Sequence, residues 1–219
     1  MDSQLRILKC LNLRFDGVIK NNYFCKHHME LKEKQKKILD VAIELFKEKG
    51  YVGSSVRDLA TRLNIKAASL YAHIRSKEEI LEWICFGIAQ DFFVELQSVK
   101  NTNIAPKEKL NLLIDKHLSI VLKNPDVTHI YSNEWKHLEE RLPEFVELRK
   151  KYQLEVQELI SEIYEAQQWE LKSPTFTTRF ILHTLNNSYF WFKRNSDPDF
   201  EIKEEIRDKI LYGLLGNQK

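Results

Sequence analysis

The chain has 219 residues, 43% of them apolar, enough to fill the core of one or two domains. Only six Gly and five Pro, amid many Leu, Ile, Glu and Lys, favour an all-α protein. Three cysteines (Cys10, Cys25, Cys85), odd in number and widely spaced, exclude a disulfide framework; no apolar run approaches the roughly 18 residues of a membrane span, and without a signal-peptide pattern a cytoplasmic protein is expected.

The net charge of +2 divides unevenly along the chain. Residues 31–80 carry 11 Lys and Arg against 7 Asp and Glu, while residues 81–219 carry 18 against 22. A basic head on an acidic body suits a phosphate-binding end joined to a regulatory one.

Residues 1–30 mix Lys and Asn with isolated apolar residues and have no helical period. They read as an extension that packs loosely or not at all, or equally as the product of a misplaced translation start at Met1; a basic arm reaching DNA is the lesser alternative. Cys25-Lys-His-His28 lacks a second ligand pair at metal-site spacing, so no metal is expected.

From Lys36 onward the pattern sharpens. A helix with Ile38, Val41, Ala42, Leu45 and Phe46 on one face stops at Gly50. A short amphipathic helix, Ser55 to Leu63, is followed by the turn Asn64-Ile65-Lys66 and a compact third helix, Ala67 to Ile74. Two short helices joined by such a turn, the second small-faced and polar, fit a DNA major groove.

A longer helix from about Lys77 to Val99 follows, with Ser76 and Glu79 spaced as a capping box. Its apolar positions Ile80, Leu81, Ile84, Cys85, Ile88, Phe92 and Leu96 recur at helical spacing. Pro106, Pro125, Pro143, Pro174 and Pro198 then mark helix starts, giving helices near 106–122, 126–140, 143–169, 174–194 and 200–215. That makes about nine helices and no convincing strand. The last two carry surplus apolar residues, among them Phe176, Phe180, Trp191, Ile202, Ile206 and Ile210. One side of each is expected to pack internally and the other to be covered by a second subunit.

Ile38-Leu-Asp-Val-Ala42, Leu45-Phe46, Lys49-Gly-Tyr51, Val56-Arg-Asp-Leu-Ala60 and Ser69 through Ile80 closely resemble, in order and spacing, the N-terminal domain of the TetR family of bacterial transcriptional regulators. The resemblance implies a three-helix helix-turn-helix domain over 31–78, a helical ligand-binding and dimerisation domain over 79–219, and residues 1–30 as an extension. It implies a homodimer paired through helices near 174–194 and 200–215, reading a double-stranded operator. Met29 lies close to where chains of this kind commonly begin.

By position in the matching motif, Lys66, Ala67, Ala68 and Ser69 face base edges. Tyr71, His73 and Lys77, with Ser54, Ser55 and Arg57, take phosphates. The plainer reading of Tyr71 is a partly buried core aromatic. Ala72 and Ile74 depart from the usual aromatics, and the small residues at 67 and 68 shift part of the specificity to DNA shape.

Glu134-Trp-Lys-His-Leu138, Arg149-Lys-Lys-Tyr152, Leu185-Asn186 and Trp191-Phe192 resemble a subgroup that regulates fatty-acid, aromatic-acid and sterol degradation by sensing acyl-CoA thioesters. Candidate effector contacts are His117, Glu134, His137 and Asn186, with Trp83, Phe86, Trp135 and Tyr152 as apolar walls. Each polar member is also readable as a satisfied core residue. Arg149, Lys150 or Lys151 would meet CoA phosphates, or form a solvated charged face.

The leading expectation is a repressor released by a small apolar or acyl-CoA-type effector. The alternatives are a broad drug- or toxin-sensing repressor of an efflux gene and a DNA-associated module with no ligand. Nucleophile elbows, glycine-rich phosphate loops, HExxH and paired CxxC motifs are all missing from the sequence; neither catalytic residues nor a cofactor is expected.

Overall fold

The computed structural model describes residues 31–168, 173–192 and 199–215. The N-terminal extension, Cys10, Cys25 and Pro198 lie outside them. Among the described residues every regular element is helical, and no helix is long and apolar enough to cross a membrane.

The head consists of α1 (Glu33–Lys49), α2 (Val56–Arg62) and α3 (Ala67–Leu70). Ile38, Leu39, Ala42, Leu45 and Phe46 of α1 bury the face that their spacing requires, against Leu59 of α2 and Leu70 of α3. α1 ends at Gly50, whose φ of 71° lies in the left-handed region that costs any residue with a Cβ more. Ser55 caps α2 by accepting from the Asp58 amide at 3.1 Å, and the Asp58 carboxylate accepts from the Ser55 amide at 2.9 Å. That reciprocal box satisfies two amides the helix start would otherwise leave open. The Ser55 hydroxyl and Lys49 also donate to that carboxylate, and with the Ser55 amide they hold the Asp58 pKa down at about 2. Asn64, at φ 53°, makes the turn between α2 and α3, a conformation Asn tolerates better than most residues.

The body is built around α4 (Lys77–Lys100), which buries Ile80, Leu81, Ile84, Ile88, Phe92 and Leu96. Ser76 caps it, accepting from the Glu79 amide at 3.2 Å. Glu79 does not close the expected box; its carboxylate accepts from the Arg75 amide at 2.6 Å. Around α4 lie α5 (Pro106–Lys123), α6 (Pro125–Asn133), a single 3-10 turn (Trp135–His137) and α7 (Leu142–Ala166). α8 (Pro174–Asn187) packs on α7 and α5, and a further turn, α9 (Tyr189–Phe192), leads toward α10 (Asp199–Leu215), which packs on α5. Prolines open α5, α6 and α8, where the missing N–H has no intrahelical partner anyway.

Two expected helices are shorter than their patterns. The one expected over 126–140 stops at Asn133, and the one over 174–194 breaks at Ser188. The buried Ser188 hydroxyl donates to the Leu185 carbonyl at 2.8 Å, a side-chain bond that competes with the helical ladder.

Candidate functional site

Two surfaces concentrate the candidate residues. On the head, Ser55, Arg57, Lys66, Ala68 and Ser69 are exposed, and Tyr71 projects with 56% of its surface free. Leu70 fills the inward position beside it, so the phenol is not needed by the core. Ala67 and His73 are half-buried, and the His73 carbonyl accepts from Gln35 at 3.1 Å. Several head cations are paired: Lys49 with Asp58, Arg62 with Glu48, Arg75 with Glu79. Arg57 and Lys66 have no ion pair among the described residues, which leaves them for an outside anion.

Ser54 and Lys77 stand apart from that surface. Ser54 is buried, its hydroxyl donating to the Gly50 carbonyl at 2.6 Å. Lys77 donates to the Tyr51 and Ser54 carbonyls, each at 2.7 Å, with its ammonium 4.1 Å from the Tyr51 ring centroid. Burial pushes the Lys77 pKa down against the pull of Glu134. The expected phosphate contacts of these two side chains are therefore replaced by an internal role: they tie the α1–α2 loop to the start of α4.

In the body, a cavity of about 1020 Å³ is bounded by α5, α6, the 3-10 turn, α7 and α8, a size that suits a small-molecule ligand. His117, Trp135, Tyr152 and Asn186 line it. His117 is 1% exposed and stacks on Phe92, ring centroids 4.0 Å apart. Its Nε2 lies 3.0 Å from Asn186 Oδ1 and its Nδ1 3.2 Å from the Tyr152 hydroxyl. Burial drives its pKa down to about 4, opposed by the Asn186 bond. A neutral ring has one N–H. Because Asn186 Oδ1 only accepts, that proton sits on Nε2, and Tyr152 donates to Nδ1. Burial also pushes the Tyr152 phenol up.

The other four expected contacts lie outside the lining. Trp83 is buried in α4. Phe86 lies under the Arg141 guanidinium, 3.9 Å from it, and edge-on to Phe145. Glu134 caps the C-terminus of α6, with one carboxylate oxygen 3.5 Å from where a Cβ on Gly50 would sit. His137 stacks on Tyr51 and lies 3.5 Å from Glu134. These last two belong to the junction between head and body. α6 ends at Asn133, and the 3-10 turn that follows carries both toward the head rather than into the cavity.

Sequence reading missed Ser132, Arg179 and the outer α8 positions Phe176 and Phe180, all of which line the cavity. Arg149, expected at a phosphate, does line it, with its guanidinium 4.8 Å from the Trp135 ring and 5.2 Å from the Tyr131 ring. Among the described residues the lining holds three cations (Arg149, Lys150 and Arg179) and no Asp or Glu.

The fold has relatives. The profile described as "Bacterial regulatory proteins, tetR family" matches residues 38–84, and "Tetracyclin repressor-like, C-terminal domain" matches residues 103–211. The repressor KstR2 of Rhodococcus jostii is 31% identical over 101 residues, 46% of this chain and 50% of KstR2. The biofilm regulator IcaR of Staphylococcus aureus is 44% identical over 71 residues, 31% of this chain and 38% of IcaR. The chain thus spans half or less of the length of these two curated relatives. Among solved structures, PfmR from Thermus thermophilus superposes with a TM-score of 0.71 at 26% identity, covering 84% of this chain and 100% of PfmR. AibR, solved with isovaleryl coenzyme A and operator DNA, gives 0.69 at 23% identity, covering 79% of this chain and 95% of AibR. These relatives are regulators rather than enzymes, and from the helix-turn-helix head to the C-terminal helical body this chain belongs to the TetR family of bacterial transcriptional regulators.

Proposed function

We propose that the protein is a homodimeric repressor whose operator binding is relieved by an anionic, largely apolar effector of the acyl-CoA type. The observation that carries this reading is the charge of the cavity: aromatic walls and, among the described residues, three cations and no carboxylate. A hydrophobic cation entering it meets like charge and, among the described residues, no carboxylate to compensate it. That argues against the efflux-type drug sensor, and the volume of the cavity argues against a module without a ligand. The AibR complex with isovaleryl coenzyme A supports the ligand class by analogy.

On the DNA side, Lys66, Ala67, Ala68 and Ser69 read base edges, while Ser55, Arg57, Tyr71 and His73 hold phosphates. Ser54 and Lys77 keep the loop that presents them. Phe176 and Phe180 are 69% and 54% exposed, and Tyr212 of α10 is 73% exposed. Apolar side chains left open on these helices favour a second copy as their cover, which also supplies the second head that a two-fold operator needs.

The test begins by selecting a bound sequence from random duplex DNA with the purified protein. Release of that duplex is then compared for medium-chain acyl-CoA thioesters, the free acids and hydrophobic cations. The anions are expected to release it, with a coupling of about 1–3 kcal/mol. Release by the cations alone, or no sequence enrichment at all, would overturn the reading.

A further inference from the structure

Among the described residues, three buried side-chain polar atoms have no hydrogen-bond partner: Asn111 Oδ1, Ser132 Oγ and Arg149 Nη1. Two of the three, Ser132 Oγ and Arg149 Nη1, belong to residues lining the same cavity. Ser132 comes from the last turn of α6 and Arg149 from α7, so the two atoms reach the cavity from different elements. The Trp135 and Tyr131 rings near the guanidinium stabilise its positive charge but offer its N–H groups no acceptor. A buried guanidinium nitrogen and a buried hydroxyl without partners are costly. In native proteins such groups are rare enough that each calls for an explanation.

We propose that Ser132 and Arg149 form a seat for an oxyanion inside the cavity. The anionic group of the effector is buried beside Trp135 and Tyr131 rather than held at the rim by the exposed Lys150. Both residues donate, one through O–H and the other through N–H, so the group received is an acceptor carrying formal charge: a carboxylate, sulfonate or phosphate on an apolar body. A neutral carbonyl or alcohol accepts the bonds but leaves the charge of Arg149 uncompensated. The inference rests on the anionic-effector reading above and locates its charge. The seat also lies two residues before Glu134, the residue set against Gly50 of the head.

Two dyes with one aromatic body test this directly. Anilinonaphthalene sulfonate carries an oxyanion, and phenylnaphthylamine lacks it. Fluorescence titrations compare both on the full-length protein and on Arg149→Gln, Ser132→Ala and Lys150→Gln. The wild type is expected to bind the sulfonate at least about tenfold tighter than the neutral amine, as a charge-assisted hydrogen bond implies. Arg149→Gln should erase that preference and Ser132→Ala should reduce it about threefold, while Lys150→Gln, at the rim, reduces it less than Arg149→Gln does; erasure by Lys150→Gln with the preference kept in Arg149→Gln would overturn the seat.

Competition with decanoate, decanoyl-CoA and decanol then identifies the source of the oxyanion. Displacement by the acid or by the thioester supports the seat and tells carboxylate from CoA phosphate; equal displacement by decanol overturns it. A preference that survives Arg149→Gln overturns the seat alone. A wild type with no preference, or one that binds neither dye, overturns both the seat and the anionic-effector reading. Unchanged circular dichroism and DNA binding in the variants keep misfolding out of the comparison.

Discussion

His137 of the body stacks on Tyr51 of the head, ring centroids 5.4 Å apart and planes 21° from parallel. Two residues before His137, Trp135 lines the cavity. One short 3-10 turn therefore touches the ligand space with one side chain and the DNA-binding domain with another. Tyr51 is 8% exposed, and burial raises its phenol pKa to about 12, so the contact is desolvated. Replacing His137 with Ala is expected to cost about 0.5–1.5 kcal/mol, the usual range for an aromatic pair. Faster amide hydrogen exchange confined to residues 50–54 is the measurement; uniform or unchanged exchange would deny the junction this role.

Lys77 separates a structural cation from a phosphate contact. Its ammonium bonds to the Tyr51 and Ser54 carbonyls, so Lys77→Gln is expected to lower stability by about 1–3 kcal/mol. The salt dependence of operator binding should keep its slope. Arg57→Gln should do the reverse: stability holds, and the slope of log affinity against log salt falls by about 1. Denaturant melts and binding titrations at several salt concentrations read both. A slope change in the Lys77 variant would return that side chain to the DNA surface.

Tyr71→Ala removes a side chain the head's core does not use. The expected result is unchanged stability, within about 0.5 kcal/mol, with weaker binding to every DNA sequence rather than relaxed selectivity at one base. A variant that binds normally at physiological salt would show that the phenol makes no contact.

His117 links α5 to α7 and α8 through Tyr152 and Asn186, and it predicts a pH dependence. Its pKa is about 4 in the folded chain against an ordinary 6.5, so between these values the unfolded state binds more protons. Stability from this residue is therefore full above about pH 6.5 and declines as pH falls, by up to about 3 kcal/mol near pH 4. Urea midpoints measured across that window should fall more steeply for wild type than for His117→Gln. Parallel curves would mean the imidazole gains its proton without cost.

The head was legible because its determinants are local. The spacing of Ile38, Ala42, Leu45 and Phe46, the Ser55 cap and the Asn64 turn each act within a few residues, and the structure follows them closely. The cavity was legible only in part. His117, Trp135, Tyr152 and Asn186, four of the eight candidates, line it. Glu134 and His137 do not, because periodicity cannot register that α6 stops at Asn133 and that the next residues turn toward Tyr51. Ser132 and Arg179 escaped notice for a related reason. A polar residue on a helix reads as solvated unless the opposing helix is known, and here α7 and α8 supply the enclosure.

Phe176 and Phe180 line the cavity and also stand open on the outer face of α8. Whatever covers that face thereby narrows the mouth of the ligand space. In a dimer closed over α8, a bound molecule escapes only as often as the two helices part. Its lifetime on the protein would then be set by subunit breathing rather than by diffusion out of an open cleft. Dilution that splits the pair would empty the site, so the sensor's memory of its signal would depend on its own concentration.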